Sequence, residues 1–316
     1  MKSTDFSIII PNLNGAKLLP NCLHSLLTAV SKKSSSASGR PSSKFEIILV
    51  DNASTDNSIS LARKIYPQIK IIKNPKNYGF AKAINQGILA AKHRWVVPCN
   101  NDLRLANNWF KLISHQIQAN KDLKIITFFG TVLNKTGNKI ESTGLDFNYS
   151  GKCQNLKNGQ NFNPNLKKQS PQIIWGANAS LIVYKKDIIQ KIGMFDPIFF
   201  AYEEDVDLAL RLHHLGYKTL WIPFAISYHL GGATSKKMGN FRHRHDAKNW
   251  IYIIIKNYSL KQIFRNLPGI IEQRLRNLSG LLKNTPFLFW LPTLISVYGQ
   301  TLFYLPAMIK KRCPEN

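Results

Sequence analysis

The chain has 316 residues, 44% of them hydrophobic and 11% aromatic, with 43 Lys and Arg against 17 Asp and Glu for a net charge of +26. That length and apolar content describe one large folded domain or two, not a disordered chain. The charge asks for a polyanionic neighbour, nucleic acid or an acidic membrane face. No zinc-finger spacing, basic-region heptad or aromatic RNA-binding box accompanies it, so nucleic acid is not expected as a partner.

Four cysteines, Cys22, Cys99, Cys153 and Cys313, form no C-x-x-C pair, which argues against a disulfide framework or a structural zinc site and fits reduced thiols in the cytoplasm. The first apolar run, residues 6–10, is cut by Pro11 and reads as a core strand, not a signal peptide. Further strands are expected at 45–50, 69–72 and 95–98, alternating with helices at 16–30, 58–66 and 81–91. This is the pattern of an α/β fold with a mostly parallel sheet flanked by helices. Ligands of such sheets collect beyond the carboxyl ends of the strands. Pro11-Asn12, Asp51-Asn52 and Asn100-Asn101-Asp102 all stand there.

The stretch 31–44, SKKSSSASGRPSSK, reads as a polar low-complexity surface insertion. Residues 140–170 are rich in Asn, Gly, Lys and Gln and read as hairpins and loops covering one side of a site. From 241 onward basic and apolar residues interleave, and 285–309 carries no charge at all between Lys283 and Lys310-Lys311-Arg312. About 20 apolar residues suffice to cross a bilayer, but Pro292, Pro306 and Gly299-Gln300 break a single straight helix. A re-entrant hairpin or an interfacial pair of helices on an anionic membrane is therefore expected. A buried helical pair is the other reading.

The stations carry chemistry of different kinds. Asp51 can accept the imide N–H of a uracil or thymine ring, with Asn52 beside it. A turn in which Ser54, Thr55 or Asp56 caps the next helix accounts for it equally. Asn77 to Asn85 opens a helix behind a glycine, a natural place for phosphate or ribose oxygens, and Lys82 and Asn85 are three apart and expected on one face. Asp102 is a hard oxygen donor of the kind that binds Mg2+ or Mn2+ between phosphates, or else part of an Asx turn. Residues 199–208, FFAYEEDVDL, set carboxylates at the start of a helix expected at 204–215. Asp207 can pair with Arg211 one turn on, which leaves Asp205, or Glu204, as a general base. His229 is a neutral metal ligand or an ordinary satisfied histidine, and Gly231-Gly232 after it suggests a close approach.

Together, FSIIIPNLN at 6–14, EIILVDNASTDNS at 46–58, NYGFAKAINQG at 77–87, Asn100–Leu103, Trp175-Gly176-Ala177, residues 193–212 and YHLGGATS at 228–235 resemble family 2 glycosyltransferases of the GT-A fold, notably the rhamnosyltransferase-like group. The resemblance covers residues 6 to about 235. It implies inverting transfer from a nucleotide diphosphate sugar, UDP- or dTDP-linked, to a hydroxyl of a saccharide or lipid-linked saccharide in cell-surface polysaccharide synthesis. It assigns donor contact to Pro11, Asn12, Asn14, Asp51 and Asn85, to which Asn52, Lys82 and Asn101 are added as neighbours. Asp102 and His229 would hold a divalent metal, and Asp205 of the Glu204-Asp205 pair would be the base. Apart from the resemblance, Trp175, with Gly176 beside it, is a candidate to meet the acceptor by stacking on a sugar face, although a large aromatic after an apolar strand is just as often core. The chain departs from the family where Asn100-Asn101-Asp102 replaces Asp-x-Asp, and in its 31–44 insertion. The expected organisation is a catalytic domain at 1–240 and a helical tail at 241–316 on the cytoplasmic face of the membrane. The alternatives are a non-catalytic nucleotide-sugar-binding relative and a sugar nucleotidyltransferase. The latter would need a Gly-rich basic loop, which residues 11–15 do not supply.

Overall fold

The first strand, β1 (Phe6–Asn12), is apolar on both faces, as a strand between two helical layers must be. In a computed structural model that describes residues 4–31, 44–230 and 240–312, it is an interior strand of a sheet, paired with Phe45–Asp51 on one side and Trp95–Pro98 on the other. The order of succession is α1 (Leu19–Ser31), β2 (Phe45–Asp51), α2 (Ser58–Ile65), β3 (Lys70–Lys73), α3 (Gly79–Ala90), β4 (Trp95–Pro98), β5 (Leu103–Leu105), α4 (Trp109–Ala119) and β6 (Ile125–Asn134). Then come β7 (Ile140–Ser142), β8 (Leu145–Asn148), β9 (Lys152–Asn155), β10 (Gln172–Ile174), β11 (Ile182–Lys185), α5 (Lys186–Lys191), α6 (Glu204–His214) and β12 (Lys218–His229). The chain continues through α7 (Phe241–Asn257), α8 (Leu260–Lys283) and α9 (Trp290–Lys310). Apart from its two end residues, the expected 31–44 insertion lies outside the described residues, as do Gly231, Gly232 and Cys313.

The sheet runs β10-β12-β6-β11-β4-β1-β2-β3. Its β3-β2-β1-β4 half is parallel, as the alternation of strands and helices predicts. Beyond β4 the sheet is mixed, because β11 runs antiparallel to both β4 and β6. Asn12, Asp51 and Asn100 consequently reach the same edge. Residues 140–170 form β7 and the β8–β9 hairpin, which roof that edge as expected.

β12 is long and irregular: its register against β6 shifts between Trp221 and Ile226, around Pro223, which has no N–H to give the ladder. Past the shift the same strand also pairs with β5 and so carries His229 to Leu103, one residue from Asp102.

α7 is no loose tail. Its Trp250, Tyr252 and Ile253 share a core with Phe199, Val206 and Leu210. Lys256 Nζ lies 2.8 Å from both Asp196 Oδ2 and Asp207 Oδ1, with all three side chains buried. α8 begins with a Ser259–Gln262 capping box and packs one face on α7. A second stripe, Leu260, Phe264, Leu267, Ile271 and Leu275, remains exposed, as do Leu291, Ile295, Leu302, Phe303 and Ile309 on α9.

Candidate active site

A cavity of about 610 Å³ opens at the carboxyl edge of β1, β2 and β4. One wall is Pro11, Asn12, Asn52 and Asn101, and the roof is Ser142, Asn155 and Asn158. Asn178 and Ser180 follow, and the far wall is the turn Phe200–Val206 with Phe241 and Arg242 of α7.

Asn12 knits the strand ends together. Its amide donates to Asp51 Oδ1 at 3.0 Å, Ser54 Oγ at 3.1 Å and Ser58 Oγ at 2.9 Å, while its oxygen accepts from Asn101 at 3.0 Å. Three stations from three strands thus form one hydrogen-bonded unit. Asp51 is buried just behind the wall, its oxygens taken by Asn12 and by the Ser54 amide and hydroxyl. Asn52 faces the cavity and donates to the carbonyl of Gly79. Gly79 has φ +80°, and a Cβ there would stand 2.4 Å from the Phe200 carbonyl oxygen. Only glycine lets α3 start so close beneath the carboxylate turn.

At the end of β12, His229 is clamped between two carboxylates: Nε2 lies 3.0 Å from Asp102 Oδ2 and Nδ1 lies 2.6 Å from Glu141 Oε2. Burial works against its charge, but the bonds and charges of Asp102 and Glu141 prevail and push the imidazole up to about 10. Asp102 Oδ1 is buried without a hydrogen-bond partner.

The carboxylate turn is held in unusual backbone geometry. Phe200, Tyr202 and Glu203 have φ of 63°, 67° and 66°, left-handed values that side chains with a Cβ rarely take. Asn249 of α7 sits under it, its amide within 3.0, 3.0 and 2.8 Å of the carbonyls of Phe199, Ala201 and Tyr202. Asp205 Oδ2 accepts from the Ala179 amide at 3.1 Å and Oδ1 from the Val206 amide. Burial lifts Asp205 above the usual carboxylate range, against those two bonds. Burial lifts Glu204 well above it too, with the Asp205 charge adding, and Glu204 Oε2 has no partner. Asp207 points the other way: Arg211 and Lys256 outweigh the cost of its burial and hold it low, in the pairing expected of it.

Several expected contacts are corrected by the placement of their side chains. Asn85 is buried away from the cavity, exchanging two hydrogen bonds with the Phe195 backbone. Lys82 is exposed, its ammonium 3.8 Å from the Tyr78 ring centroid. The two do not converge on one ligand, because three residues on a helix still differ by about 60° of rotation. Asn14 stands outside the cavity and accepts from the Thr55 amide. Trp175 stacks on Phe147, with centroids 4.5 Å apart and planes at 9°, so its face serves the α7 core. Gly176 accepts from the Leu145 amide and abuts Ala209. Sequence reading missed Glu141, Asn178, Ser180, Arg242 and Asn249. Glu141, one of two acids in an otherwise polar and basic stretch, was the one with a visible signal.

The half-parallel sheet with its carboxylate turn facing the strand ends defines a GT-A architecture. Among solved structures, that of GalNAc-T7 with UDP, GalNAc and Mn2+ shares it at a TM-score of 0.62 and 14% identity, over 96% of this chain and 58% of that one. The family model described as Glycosyl transferase family 2 matches residues 7–193, more than half the chain, and the chain belongs to that family. Over 100 residues it is 33% identical to the PGL/p-HBAD biosynthesis glycosyltransferase of Mycobacterium tuberculosis, 31% of this chain and 35% of that one, so it spans about a third of that relative's length. It is 22% identical over 235 residues to the N-acetylglucosaminyl-diphospho-decaprenol L-rhamnosyltransferase of the same species, covering 66% of this chain and 74% of that one.

Proposed function

We propose that the chain is an inverting glycosyltransferase that moves a sugar from a UDP- or dTDP-linked donor to a hydroxyl of a saccharide or lipid-linked saccharide, in cell-surface polysaccharide synthesis at the cytoplasmic face of the membrane. The observation that carries this reading is the placement of Asp205 on one wall of a single cavity and of Asp102 and His229 at the strand ends. Pro11, Asn12, Asn52 and Asn101 line the donor side. The Asp205 carboxylate takes the proton of the acceptor hydroxyl as its oxygen bonds to the anomeric carbon, and the bond from that carbon to the phosphate oxygen breaks with the electron pair leaving on the nucleotide diphosphate. A carboxylate whose pKa burial raises is a stronger base than an ordinary one, which suits that proton transfer.

A divalent ion, Mg2+ or Mn2+, fits the donor set in chemistry: the partnerless Asp102 Oδ1 is a hard oxygen ligand and His229 Nε2 a nitrogen ligand beside it. Glu141 on Nδ1 would orient the ring. To ligate, the imidazole gives up a proton, as histidine ligands do. Among the described residues no three His, Cys, Asp or Glu side chains form a closed cage. The two side chains would therefore share the ion with the donor's phosphate oxygens. Bound there, the ion would neutralise charge on the departing diphosphate.

Thermal stabilisation by UDP, dTDP, GDP and CDP, each with and without Mn2+ or Mg2+, tests the reading. A ligand at about 100 times its Kd adds about 2.7 kcal/mol. A metal-dependent shift with UDP or dTDP is the expected result. No shift with any of the four would sink it.

A further inference from the structure

We infer that the turn between α8 and α9 inserts into an anionic bilayer while α9 lies along the catalytic domain, so that the cavity mouth meets the lipid surface and the acceptor hydroxyl arrives on a membrane-embedded molecule. This rests on the transferase reading above and narrows its acceptor.

Three observations carry the inference, the first being how α9 is tied down. Residues 287–310 are apolar and long enough to cross a membrane. At about 1.5 Å per residue, such a helix matches a hydrocarbon core of about 30 Å. Its far end is nevertheless fastened to the catalytic domain. Lys311 Nζ sits 2.9 Å from the buried Asp196 Oδ1, and Arg312 donates to the Tyr258 carbonyl at 2.6 Å. Met308 is fully buried and Lys248 bonds Gln300 midway. A spanning α9 would have to break every one of these contacts.

The second observation is what the structure leaves in water. Phe287, Leu288 and Phe289 are 76%, 85% and 59% exposed at the tip of the turn, and the exposed stripes of α8 and α9 run away from it. The tip stands beside the site: Asn240 donates to Thr285 Oγ1 at 2.8 Å, and the next residues, Phe241 and Arg242, line the cavity.

The third is charge. Between 260 and 312 the one acidic residue is Glu272, against eight Lys and Arg. Exposed Lys283 and Lys310 bracket the apolar turn and helix. Basic side chains around an inserted apolar surface suit anionic headgroups, whereas a second copy of a chain at +26 would be repelled.

The test is flotation of the full chain with phosphatidylcholine vesicles, with and without phosphatidylglycerol, at low and high salt. It is run beside a Phe287→Ser, Leu288→Ser, Phe289→Ser triple variant. Those side chains are mostly exposed, so the variant is expected to fold, and its nucleotide-induced stabilisation checks that it has. The expected result is binding to the anionic vesicles that falls by about 100-fold or more in the variant, as three large apolar groups stay in water. Nucleotide-induced stabilisation should be equal in both proteins. Binding that responds to salt but not to the variant would reduce the contact to surface adsorption and overturn the inference. So would native membranes that retain the protein through an alkaline carbonate wash, the mark of a true span. A dimer that the variant dissolves, with vesicle binding unchanged, would assign the surface to a second copy instead. If vesicles are ignored while nucleotides still stabilise the chain, this inference alone falls. If nucleotides fail and vesicle binding persists, it is the transferase reading that falls.

Discussion

Replacing Asn249 by Ala removes one amide that serves three carbonyls of the carboxylate turn, at 2.8 to 3.0 Å. The Phe199 carbonyl belongs to a fully buried residue, and stranding such a group costs about 1–3 kcal/mol. The Ala201 and Tyr202 carbonyls are half-buried and regain some water, so each loses nearer to about 0.5–1 kcal/mol. The sum, about 3 kcal/mol, should appear as a drop in Tm of several degrees. The functional effect should be larger than stability alone explains. Three left-handed residues with side chains each store about 1–3 kcal/mol and stay in place only while their surroundings hold them. Once the bond is gone the turn relaxes, and displacing a base by about 1 Å can cost about 100-fold in rate. The assay is kcat for sugar transfer, with nucleotide-induced stabilisation measured alongside. The hydrogen bonds of Asn249 go to the carboxylate turn, on the far side of the cavity from the strand ends proposed to hold the donor, so nucleotide binding should persist while kcat falls about 10- to 100-fold. A folded Asn249→Ala protein with wild-type kcat would refute the argument that α7 sets the geometry of the base.

Asp205→Asn should lower kcat by about 10²–10⁴-fold with nucleotide stabilisation intact, and full activity would remove Asp205 from the base role. Because burial raises the Asp205 pKa, the acid limb of the wild-type rate profile should lie above the ordinary carboxylate value near 4. A limb at or below that value would argue against it. The buried Asp207, Asp196 and Lys256 cluster makes a separate prediction for folding. The folded pKa values of both aspartates are depressed, so their contribution is complete above the unfolded value near 4 and is lost as pH falls through the folded values. Lys256→Met should destabilise by about 3–5 kcal/mol near neutral pH, since it leaves buried carboxylates short of a cation, and that deficit should shrink as falling pH protonates them. Chemical denaturation between neutral and acid pH checks both. Identical curves for variant and wild type would refute them.

Much of the strand-edge side of the cavity was legible because its signals are local. An apolar run ending in a polar residue fixes both a strand and the edge to which it delivers that residue, and the positions of Asn12, Asp51 and Asp102 needed nothing more. Asp205 was separable from Asp207 because Arg211 lay one turn away. Lys82, Asn85 and Trp175 misled for a common reason: helical spacing and aromatic character do not say what lies opposite. Phe195 and Phe147 claimed Asn85 and Trp175, and both partners are remote in sequence. Likewise nothing around Asn249 announces that its amide faces a turn 47 to 50 residues earlier. The interleaved basic and apolar pattern after 240 was visible, but its first helix belongs to the scaffold of the site.

The Asp102–His229 contact joins residues 127 apart in the chain, whereas Asn12 reaches Ser58 across only 46. The longer closure costs more chain entropy before it returns any contact. A chain released with β12 undocked would hold a well-formed β3-β2-β1-β4 half and no Asp102–His229 contact. Ligands that bridge the two halves would then act as a latch on the whole domain. Their bound state would slow hydrogen exchange throughout the sheet, not merely around the cavity.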